Sequence, residues 1–198
     1  MANTDAPFGF IPFGKVHSAE WYPVATAYGT AIHPGDWVEV TNTGLVCKVF
    51  GGDTRMGVEI DATGAAGDEL GAVLGVLDSN GDPLLYLPAS TTGDSVVAGY
   101  VLVADSPLQE YLAQEDGDAT PIAAASVGLN VAMISTHAGL TTTGRSRQEI
   151  DSNTVNTTAT LAFRILRSYK DDTVGSAYCR WVVMPNPNAH FKSSATAI

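Results

Sequence analysis

The stretch Thr157-Thr158-Ala159-Thr160-Leu161-Ala162-Phe163-Arg164-Ile165-Leu166-Arg167-Ser168 decides the fold class, together with the run Ala177-Tyr178-Cys179-Arg180-Trp181-Val182-Val183 that follows it. In the first run Ala159, Leu161, Phe163 and Ile165 fall on one face of an extended chain, with Thr158, Thr160, Ala162 and Arg164 on the other. That pattern predicts a half-buried strand. After the polar break from Lys170 to Gly175, alternation resumes with Ala177, Cys179, Trp181 and Val183 opposite Tyr178, Arg180 and Val182. The two runs read as an antiparallel hairpin, and a sheet built on it needs other strands to cover its apolar face.

The rest of the chain supplies short strands and almost no helix. Its 198 residues suffice for a hydrophobic core without disulfide support, and 45% of them are hydrophobic. Charged residues make up only 16%, and 20 Gly and 10 Pro divide the apolar runs into short pieces. This predicts an all-β fold of short antiparallel strands, arranged as one or two small barrels or a sandwich behind an extended N-terminal arm. The expected organisation is an arm over residues 1–20, a first β subdomain over 21–104, a second over 105–192 with a long loop at 135–156, and a flexible tail at 193–198.

The net charge of −11 lies mostly in the first half: residues 1–100 hold 12 acids against 3 bases, and residues 101–198 hold 9 against 7. An acidic surface repels phosphate backbones and anionic lipid, so neither nucleic acid nor membrane is expected as a direct partner. No apolar run is long enough to span a bilayer, and the opening Met1-Ala2-Asn3-Thr4-Asp5 has no secretory character. Synthesis and assembly in a cytoplasm is the expectation, with Cys47 and Cys179 both reduced.

Along the chain, Pro7-Phe8-Gly9-Phe10-Ile11-Pro12-Phe13-Gly14 alternates stiff and hinged backbone with large apolar groups, as an extended arm would. Left in water those side chains would each forgo about 1.5–3 kcal/mol, so the arm must pack, either on its own domain or on a neighbouring subunit. The turns at His33-Pro34-Gly35-Asp36 and Asn42-Thr43-Gly44 predict a hairpin of Trp37–Val40 with Leu45–Phe50. Asn80-Gly81 predicts a second hairpin, residues 72–77 with 84–87. Further strands are expected at 96–103 and at 128–134, and at 108–115 an edge strand is favoured over the helical stripe that Leu108, Tyr111 and Leu112 would also form.

Catalytic and metal constellations are not expected, and no cofactor is implied. His17, His33, His137 and His190 show no paired ligand spacing. Asp78-Ser79-Asn80-Gly81-Asp82 resembles the start of a calcium loop, but the twelfth position is Ala89 rather than an acid. Gly144-Arg145-Ser146-Arg147 lacks the second glycine of a nucleophile elbow. The pairs Glu115-Asp116 and Asp171-Asp172 read as solvated turns. Arg145 and Arg147, on a Thr/Gly-rich loop of an acidic chain, are suited to a partner's carboxylates through bidentate hydrogen bonds. With Pro7, Phe8, Phe10, Ile11 and Phe13 of the arm, they are the candidate partner-binding residues. Trp21, Tyr22 and Trp37 would serve instead if the chain were a carbohydrate- or host-binding module.

The opening Met1–Gly9 with Pro12, then Val103-Ala104-Asp105-Ser106-Pro107, Gln114-Glu115-Asp116 and Val127-Gly128-Leu129-Asn130, resembles small virion proteins of tailed bacteriophages. Thr143-Gly144-Arg145-Ser146, Ile150-Asp151-Ser152 and Thr157–Leu161 extend the likeness over most of residues 1–190. The resemblance implies a non-enzymatic capsid decoration, or cement, protein on the outside of the head, bound to the major capsid protein. A tail or neck component is the other virion role it allows. Local three-fold positions of a capsid lattice would suit a homotrimer.

Overall fold

A computed structural model describes residues 3–41, 46–48, 54–60, 68–89, 97–170 and 172–193. Its strands are β1 (Ile11–Pro12), β2 (Glu20–Ala25), β3 (Trp37–Val40), β4 (Val46–Lys48), β5 (Thr54–Met56), β6 (Val58–Ile60), β7 (Glu69–Asp78) and β8 (Pro83–Leu84). They continue with β9 (Val97–Ala104), β10 (Tyr111–Gln114), β11 (Asn130–Val131), β12 (Met133–Ile134), β13 (Glu149–Ile150), β14 (Phe163–Ser168) and β15 (Arg180–Pro185). The protein is all-β. A six-stranded sheet runs β2-β9-β7-β3-β6 with β8 beside β7, and a five-stranded sheet runs β1-β10-β15-β14-β11. Two further pairs, β4-β5 and β12-β13, complete the set. Every strand pairing is antiparallel. Among the described residues no sheet closes into a barrel, and the arrangement is sandwich-like.

The deciding hairpin forms as β14-β15, with Phe163 opposite Pro185 and Ile165 opposite Val183. Cys179, Trp181, Val183, Phe163 and Ile165 are all fully buried, as the alternation requires. The register slips between Ile165 and Arg167, which lets both Trp181 and Val182 become buried. The first strand is shorter than its pattern predicts. Residues 157–161 turn instead, because side-chain amides take the carbonyls a ladder would use: Asn130 Nδ2 donates to Thr158 O and Asn186 Nδ2 to Ala159 O, each at 2.9 Å.

Among the described residues the core has two large parts and a small third one around Val97 and Tyr100. Tyr22, Val24, Val38, Val73, Val101 and Val103 pack on one face of the six-stranded sheet. The other part gathers Tyr111, Phe163, Ile165, Trp181 and Val183 from the five-stranded sheet with Trp37, Ala72 and Ala104 from the six-stranded one. Trp37 sits across from Ala72, which is itself across from Ala104. These small residues leave room for the indole, whose ring centroid lies 5.1 Å from that of Tyr111 and 4.6 Å from that of Phe163. The sheets change at Ala104–Asp105, but Trp37 ties them to one aromatic cluster.

The arm belongs to that cluster. Phe10 is fully buried, stacked on Phe163 at 4.7 Å and tilted against Trp37 at 5.5 Å. β1 forms the edge of the five-stranded sheet, with Ile11 opposite Leu112. The Phe13 N–H donates to Glu110 O (2.7 Å), the Phe10 N–H donates to Gly35 O (2.8 Å), and Pro12 has no N–H. Of the two ways the arm could pack, the structure uses its own domain.

Other expectations are corrected. β3 does not pair with Val46–Lys48, the described part of its expected hairpin partner. All four of its residues are buried, and it lies between β6 and β7, while β4 pairs with β5; the Asn42–Gly44 turn is outside the described residues. A strand needing neighbours on both sides is satisfied by the ten-residue β7 rather than by a short local return. The Asn80-Gly81 hairpin does form, as β7-β8. Asp78 Oδ1 accepts from the N–H groups of Asn80 and Asp82, each at 2.8 Å, so the calcium-like stretch is a side-chain-braced turn. Residues 128–134 split into β11, paired with β14, and β12, paired with β13. The 135–156 segment thus returns to the sheet region instead of running free. Of the tail, residues 194–198 lie outside the described residues.

Candidate functional site

Gly9, Gly35 and Ser146, from three distant parts of the chain, meet at one junction. Gly9 and Gly35 adopt φ of +76° and +94°, conformations that side-chain-bearing residues rarely take. A Cβ on Gly9 would lie 2.3 Å from Gly35 O and 2.5 Å from Ser146 Cβ. Ser146 is fully buried; its N–H donates to Pro34 O (3.1 Å) and its Oγ accepts from the Gln148 N–H (3.1 Å). Gln148 Oε1 in turn accepts from the Trp37 N–H at 2.5 Å. The loop is therefore fastened to the same strand that carries the central indole.

Burial of Ser146 and Gln148 turns the alternate residues outward, leaving Arg145 exposed and Arg147 half-buried. Both line a groove of about 800 Å³ with Asp5, Ala6, Pro7, Phe8, Ile11, Leu112, Leu140 and Thr143. An adjoining cavity of about 270 Å³, between Phe8, Phe10, Pro34, Gly35, Leu74 and Arg145, continues toward the core. Ile11 is 47% and Leu140 44% exposed, so the rim is apolar. Neither guanidinium has a hydrogen bond or ion pair among the described residues. Elsewhere arginines are engaged: Arg167 pairs with Glu110 at 2.7 Å, and Arg180 grips Asp172 at 2.6 and 2.9 Å. The groove is an open, cationic and apolar surface on an acidic protein.

Five of the seven residues singled out in the sequence, Pro7, Phe8, Ile11, Arg145 and Arg147, line this groove. The other two do not. Phe10 is buried in the chain's own core, and Phe13 packs edge-on against Tyr169 under the Arg167 guanidinium. Leu112 and Leu140 were missed by sequence reading. Leu112 falls within the expected strand at 108–115 and also fits a helical stripe with Leu108 and Tyr111, and neither pattern marks it as a groove residue.

Replacing Gly9 with Ala is expected to cost about 1–3 kcal/mol for the strained backbone alone, with the clash against Gly35 O added. Urea titration would read the loss, and a variant as stable as the parent would show that this junction does not hold the arm and loop together.

The remaining polar clusters are structural in geometry. Glu115 and Asp116 are buried, correcting the expectation of a solvated turn. Glu115 accepts from the Ile122 N–H (2.8 Å), the Cys179 N–H (3.3 Å) and Trp181 Nε1 (3.3 Å). Burial nevertheless pushes its carboxyl up to about 7. Carboxylate oxygens of Asp116, Asp118 and Asp151 lie within 4.8 Å of one another, a set able to offer three ligands to a hard cation. The charge of Asp116 raises Asp118, and burial raises Asp151. Asp172, also expected in a solvated turn, forms the bidentate pair with Arg180, whose hydrogen bonds hold it low. His33 is buried, stacked on Tyr86 at 5.0 Å, with its N–H bonded to Asp36. His137 Nδ1 meets Glu149 Oε2 at 2.9 Å. His190 is buried and its imidazole is held down to about 4 by burial. The Cys179 thiol is not in a disulfide and is buried, and burial pushes it up to about 12, which keeps it as the thiol near neutral pH. Tyr22 and Trp37, two of the three aromatics proposed for a sugar platform, are buried. Among the described residues no helix is long and apolar enough to cross a membrane.

No family model, no curated protein and no solved structure matches this chain.

Proposed function

We propose that this protein is a non-catalytic structural component of a tailed-phage virion, a decoration protein on the outside of the capsid that cements neighbouring major capsid protein subunits. The observation that carries the reading is the convergence of the arm and the Arg145–Arg147 loop, far apart in sequence, on one groove. Such a groove suits a contact protein: a few anchors and a polar rim supply the roughly 1,200–2,000 Å² that a specific interface buries. The likeness of Met1–Gly9 and of residues 143–161 to phage virion proteins supports the same role. In this reading the protein acts as a homotrimer at local three-fold positions, with each copy presenting its groove to the shell.

Co-sedimentation of the full-length protein with purified capsid shells tests the proposal. The wild type is expected to pellet with shells, and the Arg145→Glu/Arg147→Glu variant to lose at least tenfold in affinity. Wild-type protein that stays in the supernatant at all concentrations would sink the decoration role. Mass-spectrometric counting in intact particles separates the head surface, where hundreds of copies are expected, from tail or neck, where a handful would be found.

A further inference from the structure

We infer that the groove takes an extended segment of the shell subunit in which carboxylates alternate with apolar side chains, an inference that rests on the decoration reading only for the partner's identity. Arg145 and Arg147 stand at alternate positions of a segment whose intervening Ser146 is buried. Both line the one groove, and on an extended occupant alternate side chains, about 6.5–7 Å apart, would face them together. A guanidinium fork binds carboxylates bidentately, and neither fork has a partner among the described residues. Between and beside them lie Phe8, Ile11, Leu112 and Leu140, which would cover the apolar side chains of the same occupant.

Other occupants fit less well. A nucleic acid would meet two cations on a protein of net charge −11. An added strand would need free N–H groups on β1, but Pro12 has none and the Phe10 N–H is already bound to Gly35 O. Recognition must therefore run through side chains. Asp5 lines the same groove and places one carboxylate of the chain itself beside the incoming ones. It repels an acidic occupant, so removing its charge should strengthen binding.

The test uses the full-length protein and two probes, the peptide N-acetyl-Leu-Asp-Leu-Asp-Leu-amide and its counterpart with Asn in place of Asp, followed by calorimetry and amide NMR shifts. The acidic peptide is expected to bind at least tenfold more tightly, with shifts centred on Ile11, Leu112, Leu140 and Arg145. Arg145→Gln with Arg147→Gln should abolish the preference, Asp5→Asn should increase it, and Arg164→Gln, a charge removed outside the groove, should leave it unchanged. These positions are at the surface, and thermal melts confirm that each variant is folded before it is compared. Equal affinity for the two peptides, or shifts away from the groove, would overturn the inference. If shells bind the wild type while the peptides show no acid preference, the groove chemistry fails and the decoration role stands. If the acid preference maps to the groove while shells are not bound, the chemistry stands and the decoration role fails.

Discussion

Phe10→Ala is expected to destabilise the protein by about 3–5 kcal/mol, the range for emptying a fully buried phenylalanine site. Phe10 has no exposed surface and contacts both Phe163 and Trp37 through ring faces. Its removal would leave a cavity at the centre of the cluster that joins the two large sheets. Urea denaturation reads the effect directly. By contrast Ile11→Ala, one residue later but 47% exposed, should cost well under 1 kcal/mol while weakening groove binding. The same reasoning applies to an arm deletion. Removing residues 1–14 would take away Phe10 and the edge strand together, so lost shell binding in such a truncation would report unfolding rather than a lost contact. A Phe10→Ala variant within 1 kcal/mol of the wild type would mean that the arm is an accessory to the core.

The second large effect is the pH dependence set by Glu115. Its folded value, raised to about 7 from an ordinary 4.5, means that the native state holds a proton which the unfolded state has released. Its contribution is therefore fully present below pH 4.5 and falls by about 1.4 kcal/mol per unit as the pH rises to 7, roughly 3 kcal/mol in all. His190 opposes it. With its folded value lowered from 6.5 to about 4, it contributes fully above pH 6.5 and loses that contribution as the pH falls to 4. Between about pH 4.5 and 6.5 the two slopes nearly cancel, so the difference between two proteins is the useful measurement. Glu115→Gln keeps one acceptor oxygen but turns an amide N–H toward a donor, a cost independent of pH. Relative to wild type, the variant should gain about 3 kcal/mol between pH 4.5 and 8. Parallel stability profiles would show that Glu115 titrates in the native state where it does in the unfolded chain.

Fold class was legible because strand alternation is local: Phe163, Ile165, Cys179, Trp181 and Val183 announce their face from sequence alone. The Asn80-Gly81 turn was legible for the same reason. The pairing of β3 was not, since nothing near Trp37–Val40 says that its partners are Val58–Ile60 and the distant β7. Nor was the groove as a unit. Its two sides were each suspect on composition, but the Gly9, Gly35 and Ser146 junction that joins them is a three-way steric fit with no local pattern. Glu115 did carry a signal that was passed over. Tyr111 and Ala113 are buried at alternate positions, and Glu115 is next on that face. Adjacent acids argue for a solvated turn, whereas in the structure three N–H donors offset part of the burial.

The blocked border at β1 has a consequence for crowding. Sheet margins with free ladder groups zip together when many copies are held side by side, and that route leads to fibres. Here Pro12 offers nothing to donate and the Phe10 amide is already occupied, so a second copy finds no run of N–H donors to zip onto along this margin. That edge of the five-stranded sheet is guarded against strand-by-strand growth.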